Sequence, residues 1–195
     1  MLSAIIATHE SERVLVPTLA ALVAGVTDGL LTEAIIADAG SRDGTRDVAD
    51  VAGCRFLSSA APLPARLREA AAQSRAPWLM FLRAGVVPAD GWVRAVERFI
   101  DTSERENLTE NRAAAFRPPL ADDLTRPALA DLVAQFRAVF GAMPKPEHGL
   151  IISRRFYQAL GGHPDAADPE PALLRAVGRK RIAVLGVAAR VRRDT

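Results

Sequence analysis

The sequence predicts an α/β fold, a single domain built as an α/β/α sandwich around a mainly parallel central sheet. Three observations carry that expectation. Short apolar, β-type runs alternate with amphipathic helical patterns along the chain, as they do in strand–helix–strand units. Residues 78–82 (WLMFL) are apolar without interruption, which fits a central strand covered on both faces. The length of 195 residues is enough for one sizeable core and short for two, taking roughly 100–200 residues per domain.

Residues 2–7 (LSAIIA) are the first strand. The polar turn Thr8-His9-Glu10-Ser11 follows, and Ser11 is placed to cap a helix whose Leu15, Leu19, Leu22 and Val23 share a face before Gly25 ends it. A second strand runs through residues 34–37 and stops at Asp38; the turn over 39–45 (AGSRDGT) opens a second helix, 45–52, which Gly53 stops. Residues 54–57 are a third strand, and Pro62 and Pro64 mark a loop before an Ala-rich helix over 65–73. The strand at 78–82 ends at Arg83-Ala84-Gly85, and Asp90 caps a helix with Trp92, Val96, Phe99 and Ile100 on one face. The second half is less regular. It reads as a strand at 113–117, a loop at 118–126, and a helix opened by Pro127 with the stripe Leu129, Leu132, Val133, Phe136 and Phe140. A Pro-rich loop at 141–148, a strand at 149–153, a helix at 153–160 stopped by Gly161-Gly162, a polar turn at 163–168, a helix at 169–177 and a strand at 181–191 complete it.

Composition excludes several classes. Hydrophobic residues at 49% and charged residues at 25% are ordinary for a globular protein rather than a disordered or fibrous one. The 25 basic and 23 acidic residues leave a net charge of +2 with no basic block behind it. The cluster Arg190, Arg192 and Arg193 reads as a solvated tail, so a nucleic-acid partner is not expected. Cys54, the single cysteine, reads as a small buried hydrophobe and fits a reducing, cytoplasmic setting. The apolar start over 1–7 has no basic residue before it and is too short for a signal peptide. The longest apolar runs are about eight residues against the ~20 a membrane-spanning helix needs, so peripheral membrane contact is the closest approach expected. With one Cys and three isolated histidines (His9, His148 and His163), a zinc site is not expected, and each His reads as a surface or loop residue.

In open α/β sheets ligands bind outside the carboxyl ends of the strands. Asp38 stands at such an end and is the first residue expected to touch a substrate. No G-x-G-x-x-G follows the first strand, no G-x-x-x-x-G-K-[ST] occurs, and Ser41 is not in a G-x-S-x-G elbow, so the usual dinucleotide, P-loop and hydrolase signatures are absent.

Asp38-Ala39-Gly40-Ser41-Arg42-Asp43-Gly44-Thr45 resembles the D-x-G-S-x-D-G-T turn of family-2-type glycosyltransferases with the GT-A fold. Residues 5–12 (IIATHESE) resemble their P-T-[YH]-N-E-type turn, residues 78–85 (WLMFLRAG) stand where they have an F-L-x-A-D strand end, and residues 156–164 (FYQALGGHP) resemble their F-x-x-x-G-G-F-P segment. The resemblance runs from about residue 2 to residue 185. It implies one GT-A-like domain over 1–195, with a nucleotide-binding half about 1–90 and an acceptor half about 91–195, and a nucleotide-sugar donor as partner. It also implies that Thr8 and Glu10 line the nucleotide pocket and that Asp38 accepts a hydrogen bond from the base. Ser41 and Asp43 read as residues that shape the turn and cap the following helix. The acceptor is not specified.

Two departures from the family pattern bear on activity. Relatives end the strand after W-L-x-F-L in a triplet whose last Asp holds a divalent cation on the donor diphosphate; here the triplet is Arg83-Ala84-Gly85. Gly has no ligand and Arg repels a cation, so no carboxylate metal site and no metal cofactor are expected. Metal assistance is worth several kcal/mol, and its uncompensated loss would cost on the order of 10² to 10⁴ in rate. Arg83 either offsets part of this, through charge-assisted bonds to phosphate worth roughly 1.5–3 kcal/mol each, or is salt-bridged at the sheet's edge. The second departure concerns the base that deprotonates the acceptor hydroxyl. Relatives carry it in a Glu-Asp pair after the Gly-Gly motif, where this chain has Glu170-Pro171. Glu170 is the expected catalytic base; Asp165 and Asp168 are alternatives, with Asp168 reading as a helix cap before Pro169. Metal-independent glycosyl transfer is therefore one reading, and a degenerate, non-catalytic relative that binds a nucleotide, sugar or protein is the other. A nucleotidyltransferase is disfavoured because no Lys- or Arg-rich G-x-G-type loop follows the first strand.

Overall fold

Alternation of side chains explains why the strands read as continuous apolar runs. In the computed structural model, which describes residues 1–119 and 143–192, the strands are β1 (Leu2–Thr8), β2 (Leu31–Asp38), β3 (Arg55–Ser58), β4 (Trp78–Arg83), β5 (Val86–Pro88), β6 (Ala113–Arg117), β7 (Leu150–Ser153) and β8 (Ile182–Val191). They lie in the order β3-β2-β1-β4-β7-β6-β8-β5. The β3-β2-β1-β4 half is parallel, β7 runs antiparallel to β4 and β6, and β6 is parallel to β8. Ile6, Ile36, Met80 and Leu82 face one side, and Ile5, Ile35, Leu79 and Phe81 the other.

Each face is covered by helices, giving the expected GT-A-like α/β/α arrangement. Helices α1 (Glu12–Thr27), α2 (Thr45–Val51) and α4 (Trp92–Arg105) cover the first face with Leu15, Leu22, Ala49, Trp92, Val96 and Phe99. Helices α3 (Leu63–Gln73), α5 (Arg154–Ala159) and α6 (Pro169–Val177) cover the second with Leu67, Ala70, Phe156, Tyr157, Leu173 and Leu174. Cys54 is half-buried against the first cluster, and burial pushes its thiol up.

Several local expectations are corrected. Gly25 does not end α1, which runs on to Thr27; it is buried where the Trp92 ring crosses, and a Cβ at this position would lie 2.5 Å from the ring's Cη2. The Trp92 indole N–H donates to the Ala21 carbonyl at 2.9 Å, which fixes the ring in that contact. Helix α4 is preceded by Gly91 at φ 81 and not capped by Asp90, because the chain leaves β5, a strand too short to show periodicity, in a left-handed turn. Ser11 and Asp168 hold N-cap positions, but neither side chain makes a cap hydrogen bond; Ser11 Oγ exchanges bonds with the His9 backbone instead. The helix expected from Pro127 and its apolar stripe, like Arg193, lie outside the described residues.

The register sets the site. Asp38 pairs with Thr8 on one side and Ser58 on the other, and Ala7 pairs with Arg83, so these residues reach the carboxyl ends of β1, β2, β3 and β4 at one level. Gly25→Val is expected to destabilise the fold by about 1–3 kcal/mol through overpacking against Trp92, read as a lower urea midpoint at unchanged slope; an unchanged midpoint would mean that the α1–α4 contact is slack.

Candidate active site

Asp38 is fully buried and accepts five hydrogen bonds. Thr8 Oγ1 donates to Oδ1 at 2.9 Å and Ser41 Oγ donates to the same oxygen at 2.5 Å; the backbone N–H groups of Gly40 and Ser41 donate to Oδ2 at 2.7 and 2.8 Å, and Ser58 Oγ at 3.1 Å. Two carboxylate oxygens offer about four lone-pair sites. Asp38 therefore stands where expected, yet no acceptor position is left for a nucleobase in this geometry, and its direct effect is to hold the turn. Burial pushes its carboxyl up, but the bonds from Ser41, Thr8 and Gly40 outweigh this and keep it below the usual carboxylate range.

The turn after β1 and the turn after β2 are cross-bonded. The Glu10 N–H donates to Ser41 Oγ at 2.8 Å and its carboxylate accepts from the Arg42 N–H at 2.8 Å. The Ser11 N–H donates to Thr45 Oγ1, the Glu12 N–H to Asp43 Oδ2, and the Gly44 N–H returns a bond to Glu12 Oε2. Glu10 sits at φ 48, a strained value for a non-glycine residue that these bonds sustain. Asp43 also accepts from the Thr45 N–H, so Ser41 and Asp43 shape the turn and open α2. Arg66 was not expected here. From the first turns of α3 its guanidinium donates to the carbonyls of Ala37, Thr8 and Ala61, closing the platform from below. Burial pulls its pKa below the ordinary value against the opposing charge of Asp38. Its position in the helix that follows β3 was the only sequence sign of this.

At the end of β4 the structure joins the two residues that the sequence reading assigned separately to the diphosphate and to the base. Arg83 Nε donates to Glu170 Oε1 at 3.1 Å and Oε2 at 2.8 Å, and Nη2 also donates to Oε2. The Glu170 hydrogen bonds raise the Arg83 pKa against the opposing effect of burial, and the charges of Glu170, Glu147 and Asp168 add to the rise. Arg83 is thus salt-bridged, but at the carboxyl end of a central strand rather than at a sheet edge. Asp165 is engaged by Arg68 at 2.9 Å.

His163 departs from a surface position. It lies in a loop but is buried, with Nδ1 2.8 Å from the Tyr157 hydroxyl and its ring edge-on to Phe81. The Tyr157 oxygen also accepts the His163 backbone N–H at 3.1 Å, and Arg68 donates to the His163 carbonyl. The pair pins the loop that leads from Gly161-Gly162 to α6 and Glu170.

The sequence model of the family described as glycosyl transferase family 2 matches residues 3–158, most of the chain. The chain belongs to glycosyl transferase family 2. A search of curated proteins returned no match. Among solved structures, the glucosyl-3-phosphoglycerate synthase from Mycobacterium tuberculosis, in complex with Mn2+, UDP and glucosyl-3-phosphoglycerate, is similar at TM-score 0.68 and 21% identity, over 100% of this chain and 73% of that one. S. aureus TarS 1-349 in complex with UDP-GlcNAc is similar at TM-score 0.69 and 15% identity, over 100% of this chain and 59% of that one. These likenesses support the fold.

For a family-2 glycosyltransferase a divalent cation is implied at the end of β4, and the residues present do not fit one. Arg83-Ala84-Gly85 offers no carboxylate. Gly85 sits at φ +90, and a Cβ there would collide with the Arg192 carbonyl, because the Arg192 N–H donates to the Gly85 carbonyl at 2.8 Å as β8 runs past. Among the described residues no group of three His, Cys, Asp or Glu is placed to hold a metal ion, and no helix is long and apolar enough to cross a membrane.

Burial pushes the His163 pKa down to about 4 and the Tyr157 pKa up to about 12, so the buried imidazole is neutral at pH 7. A depressed histidine pKa makes the unfolded chain the better proton binder, so stability falls as pH drops below about 6.5. His163→Phe is expected to abolish about 2 kcal/mol of the stability loss between pH 7 and pH 5, measured by urea titrations at both values; an equal loss in the variant would assign the titration elsewhere.

Proposed function

We infer that this chain is a nucleotide-sugar-dependent glycosyltransferase that carries the donor's diphosphate on Arg83 without a divalent cation. The observation behind this reading is that Arg83 and Glu170 meet at the carboxyl end of β4, beside the turn platform held by Asp38. Family membership supports the reaction class, and the UDP and UDP-GlcNAc bound to the similar structures support a nucleotide-sugar partner. In this reading Thr8, Glu10 and Asp38 build the turn surface that receives the nucleoside. Asp38 acts by positioning that surface.

The chemistry follows from two groups. Glu170 takes the proton of an acceptor hydroxyl while that oxygen forms a bond to the anomeric carbon. The bond from that carbon to the phosphate oxygen breaks, its electron pair leaves with the nucleoside diphosphate, and Arg83 meets the charge that develops. Two charge-assisted bonds at roughly 1.5–3 kcal/mol each are comparable with the several kcal/mol that a metal supplies. A second reading, a binding module without turnover, is favoured by the same ion pair, since it occupies both the cation and the base.

Thermal unfolding of the chain with UDP-, GDP- and dTDP-linked sugars, each in EDTA and in Mn2+, tests this. One donor at about 100 times its Kd is expected to add about 2.7 kcal/mol and raise Tm on the order of 5–10 °C equally in both buffers, with slow hydrolysis of that donor. Stabilisation by none of them would overturn the donor site, strict Mn2+ dependence would overturn the role of Arg83, and stabilisation without any hydrolysis would leave the binding module as the function.

A further inference from the structure

We propose that the Arg83–Glu170 ion pair is a donor-operated latch, in which the incoming diphosphate takes Arg83 and thereby releases Glu170 as the base. The proposal rests on the donor-site reading above and adds an order of events to it. Both groups are committed to each other in the structure. Glu170 accepts through both oxygens, and Arg83 donates through Nε and Nη2 in the planar fork that suits a carboxylate or a phosphate equally well. The Nε–Nη2 edge that holds Glu170 cannot hold a phosphate at the same time.

Three features make the exchange directional. Arg83 is 47% exposed and so reachable from solvent, whereas Glu170 is 13% exposed, so a ligand meets the cation before the carboxylate. A diphosphate brings more negative charge to Arg83 than the single carboxylate it replaces, which offsets the cost of parting Arg83 from the mostly buried Glu170. Glu170 lies in the first turn of α6, where the positive end of the helix dipole supports its charge once Arg83 has turned away. Glu147 and Asp168 also act on Arg83, and the charge of the diphosphate has to outweigh theirs. The His163–Tyr157 contact holds the loop before α6, so the exchange is a side-chain event on a fixed backbone. A base that stays neutralised until donor is bound avoids activating an acceptor with nothing to attack.

Calorimetric titration of UDP, GDP and dTDP in EDTA, with the matching nucleosides as controls, tests the latch on wild type, Glu170→Gln, Arg83→Ala and the double variant. Glu170→Gln is expected to tighten the bound diphosphate about fivefold and leave the nucleoside unchanged, because Arg83 is no longer shared. Arg83→Ala is expected to weaken the diphosphate at least about tenfold, and Glu170→Gln on that background to change nothing more. A diphosphate affinity within twofold of wild type in Glu170→Gln, or an equal change for the nucleoside, overturns the latch and leaves the donor site standing. No binding of any diphosphate to wild type overturns both. Should Glu170→Gln fail to fold, the wild-type Arg83 Nε–H resonance, identified by its loss in Arg83→Lys, decides: a shift on adding the diphosphate but not the nucleoside supports the latch, and an unmoved signal overturns it.

Discussion

The five hydrogen bonds into the buried Asp38 carboxylate are the constraint on which the site depends. An ion taken out of water is tolerated only when donors replace the lost hydration, and here they come from two neighbouring strands and a turn. Thr8 ends β1, Ser58 ends β3, and Gly40 and Ser41 belong to the turn that β2 feeds. Meeting the needs of one carboxylate therefore fixes the relative level of three strands and the path of residues 39–45. The reciprocal bonds of Glu10 and Glu12 with the turn then tie in the start of α1, so two loops behave as one surface.

The charged pair beside that surface is carried by β4 and α6. In this family-2 chain, the end of β4 presents a cation where a carboxylate is implied, and the passage of β8 past Gly85 leaves no room for a side chain there. The substitution is thus built into the backbone as well as the sequence: restoring an acidic residue at 85 requires moving the β5–β8 pair. Arg83 instead takes its partner from α6, 87 residues later, and the two groups that glycosyl transfer would need are stored as an ion pair.

Much of the fold was legible because its cause is local. Strand β4 announces itself by uninterrupted apolar residues, β1 and β2 by short apolar runs at 4–7 and 34–37, and α1 and α4 by one-sided stripes. The D-x-G-S-x-D-G-T turn marked the platform, since Asp and Ser bonding to nearby backbone is a short-range matter. What escaped depends on contacts distant in sequence. Gly25 reads as a helix stop until Trp92 is seen to cross it, and the burial of His163 in its loop comes from Tyr157 and Phe81, which enclose it. The three residues of β5 carry no period, and Arg66 is one arginine among many until three strand-end and loop carbonyls converge on it. Asp38 stands where the sequence puts it, but nothing local shows that Thr8 and Ser58 also bond to its oxygens.

In the proposed reaction a guanidinium takes the diphosphate in place of a metal ion. The most direct measurement is a crystal structure of the chain with the best-binding nucleoside diphosphate, grown in EDTA. The expected result has phosphate oxygens ~3 Å from the Arg83 guanidinium nitrogens and the Glu170 carboxylate parted from them. A diphosphate bound elsewhere over an intact Arg83–Glu170 pair, or no diphosphate bound until a divalent cation is restored, would contradict it.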